Sequence, residues 1–267
     1  MPRAFLDSST LIELTFRNRK IRSKVNAAIP SDLDRSTSRY VVFEVARGYL
    51  GHLILLHNKA LAVQSLSELH QYLHSGQQIF KRYRSGTMLG AFDDFIVHLE
   101  TLDQSLTERQ RLAAFQGWIA SHLRRGWQKL LHGIEVINSV GCREDIPAPR
   151  KNRGQNYEQA LPTKQCGSVK ACGLDAYLTS HHSELEAIVT GLGGLKQPDP
   201  ETKRRIAALR RLQSKGSGSD FEGGDCWDCG DAIICHEAPS GSTVVSKNRK
   251  HFQPLCLMTQ KASVFYK

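Results

Sequence analysis

The hydrophobic and polar positions divide the chain into α/β segments at its two ends and a long helical middle. Residues 3–7 contain an apolar run that ends in an acid, which predicts a short buried strand, and Ser8 and Ser9 follow as candidate helix N-caps. Residues 39–57 repeat apolar positions at helical spacing, with Glu44 inside the apolar run. A strand that ends in an acid and leads into a helix places charge at the carboxyl edge of an α/β sheet.

The middle of the chain repeats leucines and aromatic residues at helical spacing from about 59 to 137, which predicts an all-helical stretch. Because this stretch is too long for a connecting loop, we predict a mostly helical insertion over 59–220. Within it, the Pro-, Gly- and charge-rich residues 141–170 predict a basic loop, and residues 201–215 predict a basic helix.

The last fifty residues return to α/β character. Residues 230–238 predict a helix, residues 242–246 a short buried strand, and residues 247–252 the loop after it. The stretches LCLMT (255–259) and SVFYK (263–267) predict the final strand elements. The expected fold is therefore α/β, with a parallel central sheet to which both ends of the chain contribute.

Composition adds a partner class and a compartment to this description. The net charge of +10 over 267 residues favours a polyanionic partner such as nucleic acid or an acidic membrane surface. No apolar run reaches the ~18 to 20 residues that span a bilayer, and the first residues lack the apolar core of a signal peptide. We therefore expect a cytoplasmic protein that binds nucleic acid and has no membrane partner.

Four segments carry the candidate chemistry, and each contains one acid or amide. They are FLDSSTLI with Asp7, VVFEVARGYL with Glu44, GDAIICHEA with Asp231, and TVVSKNRKHF with Asn248. Phosphodiester cleavage needs an activated nucleophile and a counter-charge, and a hard divalent cation supplies both. Magnesium is held by one or two carboxylates together with waters and substrate phosphate, so a sparse acidic cluster suits it.

The order and wording of these segments resemble the PIN-domain nucleases, especially those of the bacterial toxin type. That family opens with a strand that ends in Asp, as at Asp7, and has a Glu in an early helix followed by Arg-Gly, as at Glu44. Its third acid opens a helix of the form D-A-hydrophobic-I, as at Asp231. A strand then ends in Thr or Ser, a basic residue, and Asn or Asp, as at Asn248.

The resemblance implies a fold and a set of partners. Residues 1–58 and 221–267 would form a PIN-like three-layer sandwich with a parallel central sheet, and the insertion at 59–220 departs from the family's shorter chain. Family members of this kind are often toxins held by a small inhibitory protein, or defence nucleases. RNA and a small inhibitory partner protein are therefore implied, and the insertion would shape substrate access or homodimer contacts.

The resemblance also implies a mechanism and a ligand set. The protein would be an endoribonuclease that cleaves RNA phosphodiester bonds with a metal-activated water. Asp7, Glu44 and Asp231 would hold Mg²⁺ or Mn²⁺, Ser9 would hydrogen-bond a metal-bound water, and Asn248 would lie beside the cluster. The family often has Asp at the fourth position, and because Asn248 adds no charge, a second metal site should be weaker.

Each of these residues also has a plain structural interpretation. Asp7 and Asp231 suit helix N-caps, Glu44 suits a solvated helix face, and Asn248 suits a turn. At the level of function, the same metal chemistry permits a DNA nuclease or flap-type nuclease. The amide at Asn248 also suits a decayed site in a non-catalytic nucleic-acid-binding protein. The joint occurrence of the four segments in family order favours the catalytic interpretation.

Cysteine and basic side chains supply secondary candidates. Cys166 and Cys172 with Cys226 and Cys229 form C-x5-C and C-x2-C pairs that suit a structural zinc, and unliganded thiols are the alternative. The basic residues beside the fourth segment, which suit contacts to a phosphate backbone, are Lys247, Arg249 and Lys250. The histidines at 181, 182 and 236 lack partners at ligand spacing, so we interpret them as surface or core residues.

Overall fold

The computed structural model describes residues 3–75, 82–101, 105–142, 146–158, 173–215 and 225–267. In these residues, five short strands form one parallel sheet with helices around it. The sheet strands are β1 (Arg3–Leu6), β2 (Asp34–Ser38), β3 (Glu135–Ile137), β6 (Thr243–Ser246) and β7 (Ala262–Phe265). Two further strands, β4 (Arg150–Lys151) and β5 (Tyr157–Glu158), pair with each other in antiparallel fashion.

The strand order across the sheet is β3-β2-β1-β6-β7, and every neighbouring pair is parallel. Strands β1 and β6 bury Phe5, Leu6, Val244 and Val245 completely, as expected where helices cover both faces of a sheet, whereas the interior strand β2 is polar in sequence. The chain builds outward from β1 on one side and returns to the other side as β6. In parallel sheets of this kind, the carboxyl ends of the two strands at such a reversal flank a crevice where ligands bind.

The helices of the first half follow the sheet strands directly. They are α1 (Ser8–Phe16), α2 (Arg19–Ala28), α3 (Arg39–Glu44), a π-helical segment (Val45–Leu50), α4 (Gly51–Ala62), α5 (Leu66–Ser75), α6 (Arg82–Leu99), α7 (Glu108–Ser121), a second π-helical segment (His122–Gly126) and α8 (Trp127–Lys129). Asp7 and Ser38 cap α1 and α3, because their side chains accept hydrogen bonds from backbone N–H groups in the first turn. The prediction that Ser8 or Ser9 caps α1 was therefore wrong.

The helices of the second half bring the chain back to the sheet. They are α9 (Leu174–Ser180), α10 (His182–Gly193), α11 (Pro200–Lys215), α12 (Asp225–Asp228), α13 (Gly230–Glu237) and α14 (Arg249–Met258). The predicted α/β class with a parallel central sheet is thus confirmed. None of the helices in the described part of the chain combines the length and apolar character needed to cross a lipid bilayer.

The structure differs from the predicted elements at three places. Residues 135–137, predicted as helix, form the edge strand β3, so the segment 59–220 adds a strand to the central sheet. Residues 247–252, predicted as a loop, and 255–259, predicted as a strand, contribute to α14. The buried positions of α14 fall at helical spacing, and short apolar runs do not distinguish helix from strand. The predicted boundaries of the insertion itself stay a prediction.

The predicted basic loop at 141–170 is described only in part. It contains the β4–β5 pair, in which Asn152 accepts hydrogen bonds from the backbone N–H groups of Gly154 and Asn156. Tyr157 packs against α4, where its backbone N–H and C=O bond the side chain of Asn58. The β4–β5 pair is therefore joined to α4 by hydrogen bonds to the side chain of Asn58.

Candidate active site

A cavity of about 660 Å³ lies at the carboxyl ends of β1 and β6, where the strand order reverses. Five nominated residues line it, namely Asp7, Ser9, Glu44, Asp231 and Asn248. Five different positions present them: the residue after β1, the first turn of α1, the end of α3, the start of α13 and the turn after β6. The structure thus brings side chains from the first 50 and the last 40 residues to one place, as the motifs predicted.

Asp7 is buried and strongly hydrogen-bonded. Its Oδ1 accepts from the backbone N–H of Thr10 at 2.8 Å, and its Oδ2 accepts from the hydroxyl of Ser246 at 2.7 Å. Ser9 Oγ lies within 2.9 Å of both carboxylate oxygens. Burial raises the pKa of Asp7, and these hydrogen bonds partly oppose that rise. Asp7 is therefore the N-cap of α1 and a cavity side chain at the same time.

Glu44 is the most electrostatically perturbed carboxylate of the cavity. Burial raises its pKa to about 8, repulsion from Asp231 and Asp7 adds to the rise, and a hydrogen bond from Ser8 opposes it. Its carboxylate lies against the start of α13, because a Cβ on Gly230 would be only 2.5 Å from Glu44 Oε1. The alternative of a solvated helix residue was therefore wrong for Glu44.

Asp231 lies in the first turn of α13 and carries two cationic or imidazole partners. Its Oδ2 is hydrogen-bonded and ion-paired to Arg205, and it lies 3.0 Å from Nδ1 of His251. Burial would raise the pKa of Asp231, but the hydrogen bond from His251 and the charge of Arg205 hold it below its usual value. Because Cys229 precedes the helix at the cap position, the alternative of an Asp231 N-cap was wrong.

Asn248 begins α14 without a side-chain cap bond and turns its amide toward His251. Asn248 Nδ2 lies 2.8 Å from His251 Nδ1, and the other ring nitrogen, Nε2, lies 2.9 Å from Glu201 Oε2. The backbone N–H of Asn248 donates to Ser246, the residue that also bonds Asp7. Asn248 is thereby linked to both the Asp7 side and the Asp231 side of the cavity.

Arg205 and His251 also line the cavity, although the sequence placed Arg205 only on the predicted basic helix and His251 only in the fourth segment. Arg205 is only 5% exposed, and its Nε and Nη1 atoms are buried without a hydrogen-bond partner among the described residues. On α11 it shares the buried face with Thr202, Ile206 and Leu209. An arginine at an apolar helical position is the sequence signal that could have identified it, because buried charge requires a partner.

The basic residues nominated for substrate binding are exposed beside Asn248. Lys247 pairs with the buried Glu13 at 2.7 Å, and Lys250 pairs with Asp199 at 3.5 Å. Arg249 donates to the neutral side chain of Gln253. These contacts leave three exposed basic side chains next to the cavity, two of which are already partly neutralised by acids.

Of the two cysteine pairs predicted to bind zinc, the structure describes the pair Cys226 and Cys229. Cys226 and Cys229 flank the start of α13, where the Tyr40 hydroxyl donates to the backbone carbonyl of Cys226. Cys229 is fully buried, and burial raises the pKa of its thiol well above the usual value. Because Cys166 and Cys172 lie outside the described residues, a four-cysteine zinc site stays a prediction.

The donor atoms of the cavity suit a hard cation only in a sparse arrangement. Among the described residues, Asp199, Glu201 and His251 form a group whose donor atoms all lie within 4.8 Å, and Asp7, Glu44 and Asp231 do not form such a group. Repulsion from Asp231 and Asp7 adds to the burial that raises the pKa of Glu44, and a bound cation would relieve that repulsion. The residues therefore fit a cation held by one or two carboxylates and waters.

Comparisons of this chain with protein-family models, curated proteins and solved structures find no match. Fold and site together define an α/β protein with an acidic cavity at the carboxyl edge of a parallel sheet. Any narrower assignment depends on the chemistry that this cavity can perform.

Proposed function

We propose that this chain is a metal-dependent nuclease whose substrate is RNA. The observation that carries the proposal is the convergence of Asp7, Glu44 and Asp231 on one cavity at the reversal of strand order. Carboxylates gathered from three distant segments repel one another, so such an arrangement is costly unless a cation is held there. The resemblance of the four segments to PIN-domain nucleases supports the same assignment.

When bound, Mg²⁺ or Mn²⁺ would lower the pKa of a coordinated water and neutralise charge on the phosphate. Asp7 and Glu44 would hold the cation, and the hydroxyls of Ser9 and Ser246 keep the Asp7 carboxylate fixed. Asp231 orients Arg205 into the cavity wall, where the guanidinium supplies positive charge beside the reacting phosphate. The chain's own contribution is thus to position carboxylates and a guanidinium around one cavity.

The proposal of RNA as substrate rests on charge and on the family resemblance. The chain has a net charge of +10, and Lys247, Arg249 and Lys250 are exposed beside the cavity. Such side chains bind a phosphate backbone without sequence preference. The same chemistry serves DNA, so both substrates belong in the test.

A non-catalytic nucleic-acid-binding protein is the second candidate, and the Arg205–Asp231 ion pair favours it. Arg205 already neutralises one carboxylate, and the three acids do not place their donor atoms within 4.8 Å of one another. Under this alternative the cavity would bind phosphate through Arg205 and leave the backbone intact. Binding without cleavage would distinguish it from a nuclease.

The test is cleavage of single-stranded RNA and DNA with Mg²⁺ or Mn²⁺ by the wild type and by Asp231→Asn. We expect the variant to lose at least about 100-fold in rate, as when one electrostatic element of an active site is removed. The matched control is Asp93→Asn, which removes the same charge from an exposed helical position. Equal cleavage by wild type and Asp231→Asn, or no cleavage by the wild type, would contradict the proposal.

A further inference from the structure

A second cavity, of about 530 Å³, lies at the far end of α13 from Asp231. Its lining includes Tyr177, His181, Glu184, His236 and Lys261. His181 and Glu184 lie at the junction of α9 and α10, three residues apart, and His236 is the penultimate residue of α13. The chain therefore brings two imidazoles and a carboxylate together across more than 50 residues of sequence.

The three side chains are close enough to share one ion. Each offers one donor atom, and these atoms all lie within 4.8 Å of one another. The rings of His181 and His236 have centroids 4.8 Å apart at 63°, so they meet edge to face. A tetrahedral ion with metal–nitrogen distances of about 2.0 to 2.1 Å needs its donors roughly 3.4 Å apart. Small side-chain rotations would close the remaining gap.

A hydrogen bond to Tyr177 orients the imidazole of His236. Nδ1 of His236 lies 2.6 Å from the hydroxyl oxygen of Tyr177. With the proton on Nδ1, His236 donates to Tyr177 and leaves the lone pair of Nε2 available to a metal ion. Histidines that bind metals almost always donate their other ring N–H to such a partner, which fixes the tautomer and the ring plane. Tyr177 has the position and chemistry of that partner.

The charges around the cluster nearly balance. Lys261 lies in the same cavity, but its ammonium group is bound to backbone carbonyls at the end of α13, including those of Cys235 and His236. The carboxylate of Glu237 lines the cavity as well and offsets this charge. Burial, together with His181 and Lys261, lowers the pKa of His236 to about 4.

We propose that His181, Glu184 and His236 form a binding site for a zinc-class divalent cation. Two imidazoles and one carboxylate bind transition metals in preference to Mg²⁺. Three protein ligands leave one position of a tetrahedral ion open. The bound ion would tie the α9–α10 junction to the C-terminal end of α13. The inference is independent of the proposed nuclease activity, because none of these residues lines the first cavity.

The experiment measures Zn²⁺ and Co²⁺ binding by the purified full chain after metal removal, using competition with a chromophoric chelator. We expect one site that His181→Ala or His236→Ala weakens at least tenfold. Tyr177→Phe should weaken it about 10- to 100-fold through loss of the orienting bond. The matched control is His182→Ala, because His182 is the adjacent histidine, exposed and outside the cluster. It should bind like the wild type.

Cobalt spectra separate this site from the cysteines. Nitrogen and oxygen donors give only weak visible bands, whereas thiolate donors add strong near-ultraviolet absorption. Retention of full affinity in His236→Ala would overturn the proposal. So would a thiolate spectrum in the wild type together with loss of all binding in the Cys226→Ser/Cys229→Ser variant. If a histidine variant fails to fold, Glu184→Gln carries the test, because Glu184 is exposed and its loss leaves the packing intact.

Discussion

The two ends of helix α13 show opposite chemistry produced by the same burial. At its start, Asp231 meets Glu44, whose pKa burial and like charges raise to about 8. At its end, burial lowers the pKa of His236 to about 4. Burial favours the neutral form in both cases, but neutral imidazole is a competent metal ligand and a protonated carboxyl is not. Glu44 therefore needs a cation to recover its charge, and His236 is a competent ligand without one.

The comparison extends to cation selectivity. Carboxylate, hydroxyl and amide oxygens around the first cavity suit Mg²⁺ and Mn²⁺, and the imidazoles of the second suit zinc-class ions. Because Asp231 and His236 are five residues apart, they lie about 140° apart around the helix axis and ~7.5 Å along it. One rigid helix thus connects two proposed sites that different cations would address separately.

The largest expected effect is a double dissociation in thermal unfolding. A cation at a hundredfold excess over its Kd stabilises the folded state by about 2.7 kcal/mol, which corresponds to a Tm rise of roughly 5 to 10 °C. We expect Glu44→Gln to lose the Mn²⁺ shift and keep the Zn²⁺ shift, and His236→Ala to do the reverse. Differential scanning fluorimetry measures both. If each variant loses both shifts equally, the two cavities are not separate cation sites.

The sequence was sufficient to predict the acidic cavity because its residues follow strands. Asp7 comes directly after β1 and Asn248 comes two residues after β6, and parallel topology brings such positions to one edge of the sheet. Glu44 and Asp231 were predicted as site residues from the resemblance of their segments to PIN-domain nucleases instead. The apolar strands and helical spacing around them have strong periodicities, so most of the elements were predicted correctly.

The histidine cluster and Arg205 could not be predicted in this way. His181 and His236 come together through tertiary packing, in which α14 contacts both α10 and α13. No local sequence pattern encodes that packing. The sequence placed Arg205 on a basic helix with several other arginines. Its burial depends on which face of α11 packs against the neighbouring helices. Edge strand β3 was missed for a related reason, because three residues are too few for a periodicity to distinguish strand from helix.

A smaller effect is expected in the pH dependence of Glu44→Gln. Because the folded pKa of Glu44 is raised to about 8, unfolding releases its proton between about pH 4.5 and 8, and stability falls as pH rises through that window. Glutamine removes this loss, so without metal the variant should gain about 1 to 3 kcal/mol over the wild type at pH 8 and nothing near pH 4.5. Urea unfolding at several pH values measures the difference. The exposed control Glu186→Gln should show no such trend.

A still smaller change in stability is expected for Gly230→Ala. The added Cβ would lie 2.5 Å from Glu44 Oε1, and the carboxylate at the end of a flexible side chain would move away. We expect unfolding free energy to change by less than about 1 kcal/mol. Mn²⁺ affinity should fall about tenfold, because the second carboxylate is displaced.

The control for this change is Gly117→Ala on α7, where an added Cβ meets no atom within 4 Å. Alanine should stabilise that helix by about 0.5 to 1 kcal/mol and leave Mn²⁺ affinity unchanged. Isothermal titration calorimetry on both variants gives the comparison. Wild-type Mn²⁺ affinity in Gly230→Ala would show that the position of Glu44 does not matter to the cation.

The smallest effect is expected at the basic rim, and it separates residues that look equivalent in sequence. Lys250 is already paired with Asp199, whereas the side chain of Arg249 donates to the neutral Gln253 and has no acidic partner in the described part of the chain. Arg249→Ala should therefore weaken single-stranded RNA binding about two- to fivefold at low salt and lower the log–log salt slope by about 0.7. Lys250→Ala should change less, because Asp199 already partly neutralises the Lys250 ammonium, which therefore contributes less to phosphate binding. Fluorescence anisotropy at several salt concentrations measures both slopes. Equal slopes for Arg249→Ala and wild type would place the nucleic acid elsewhere on the protein.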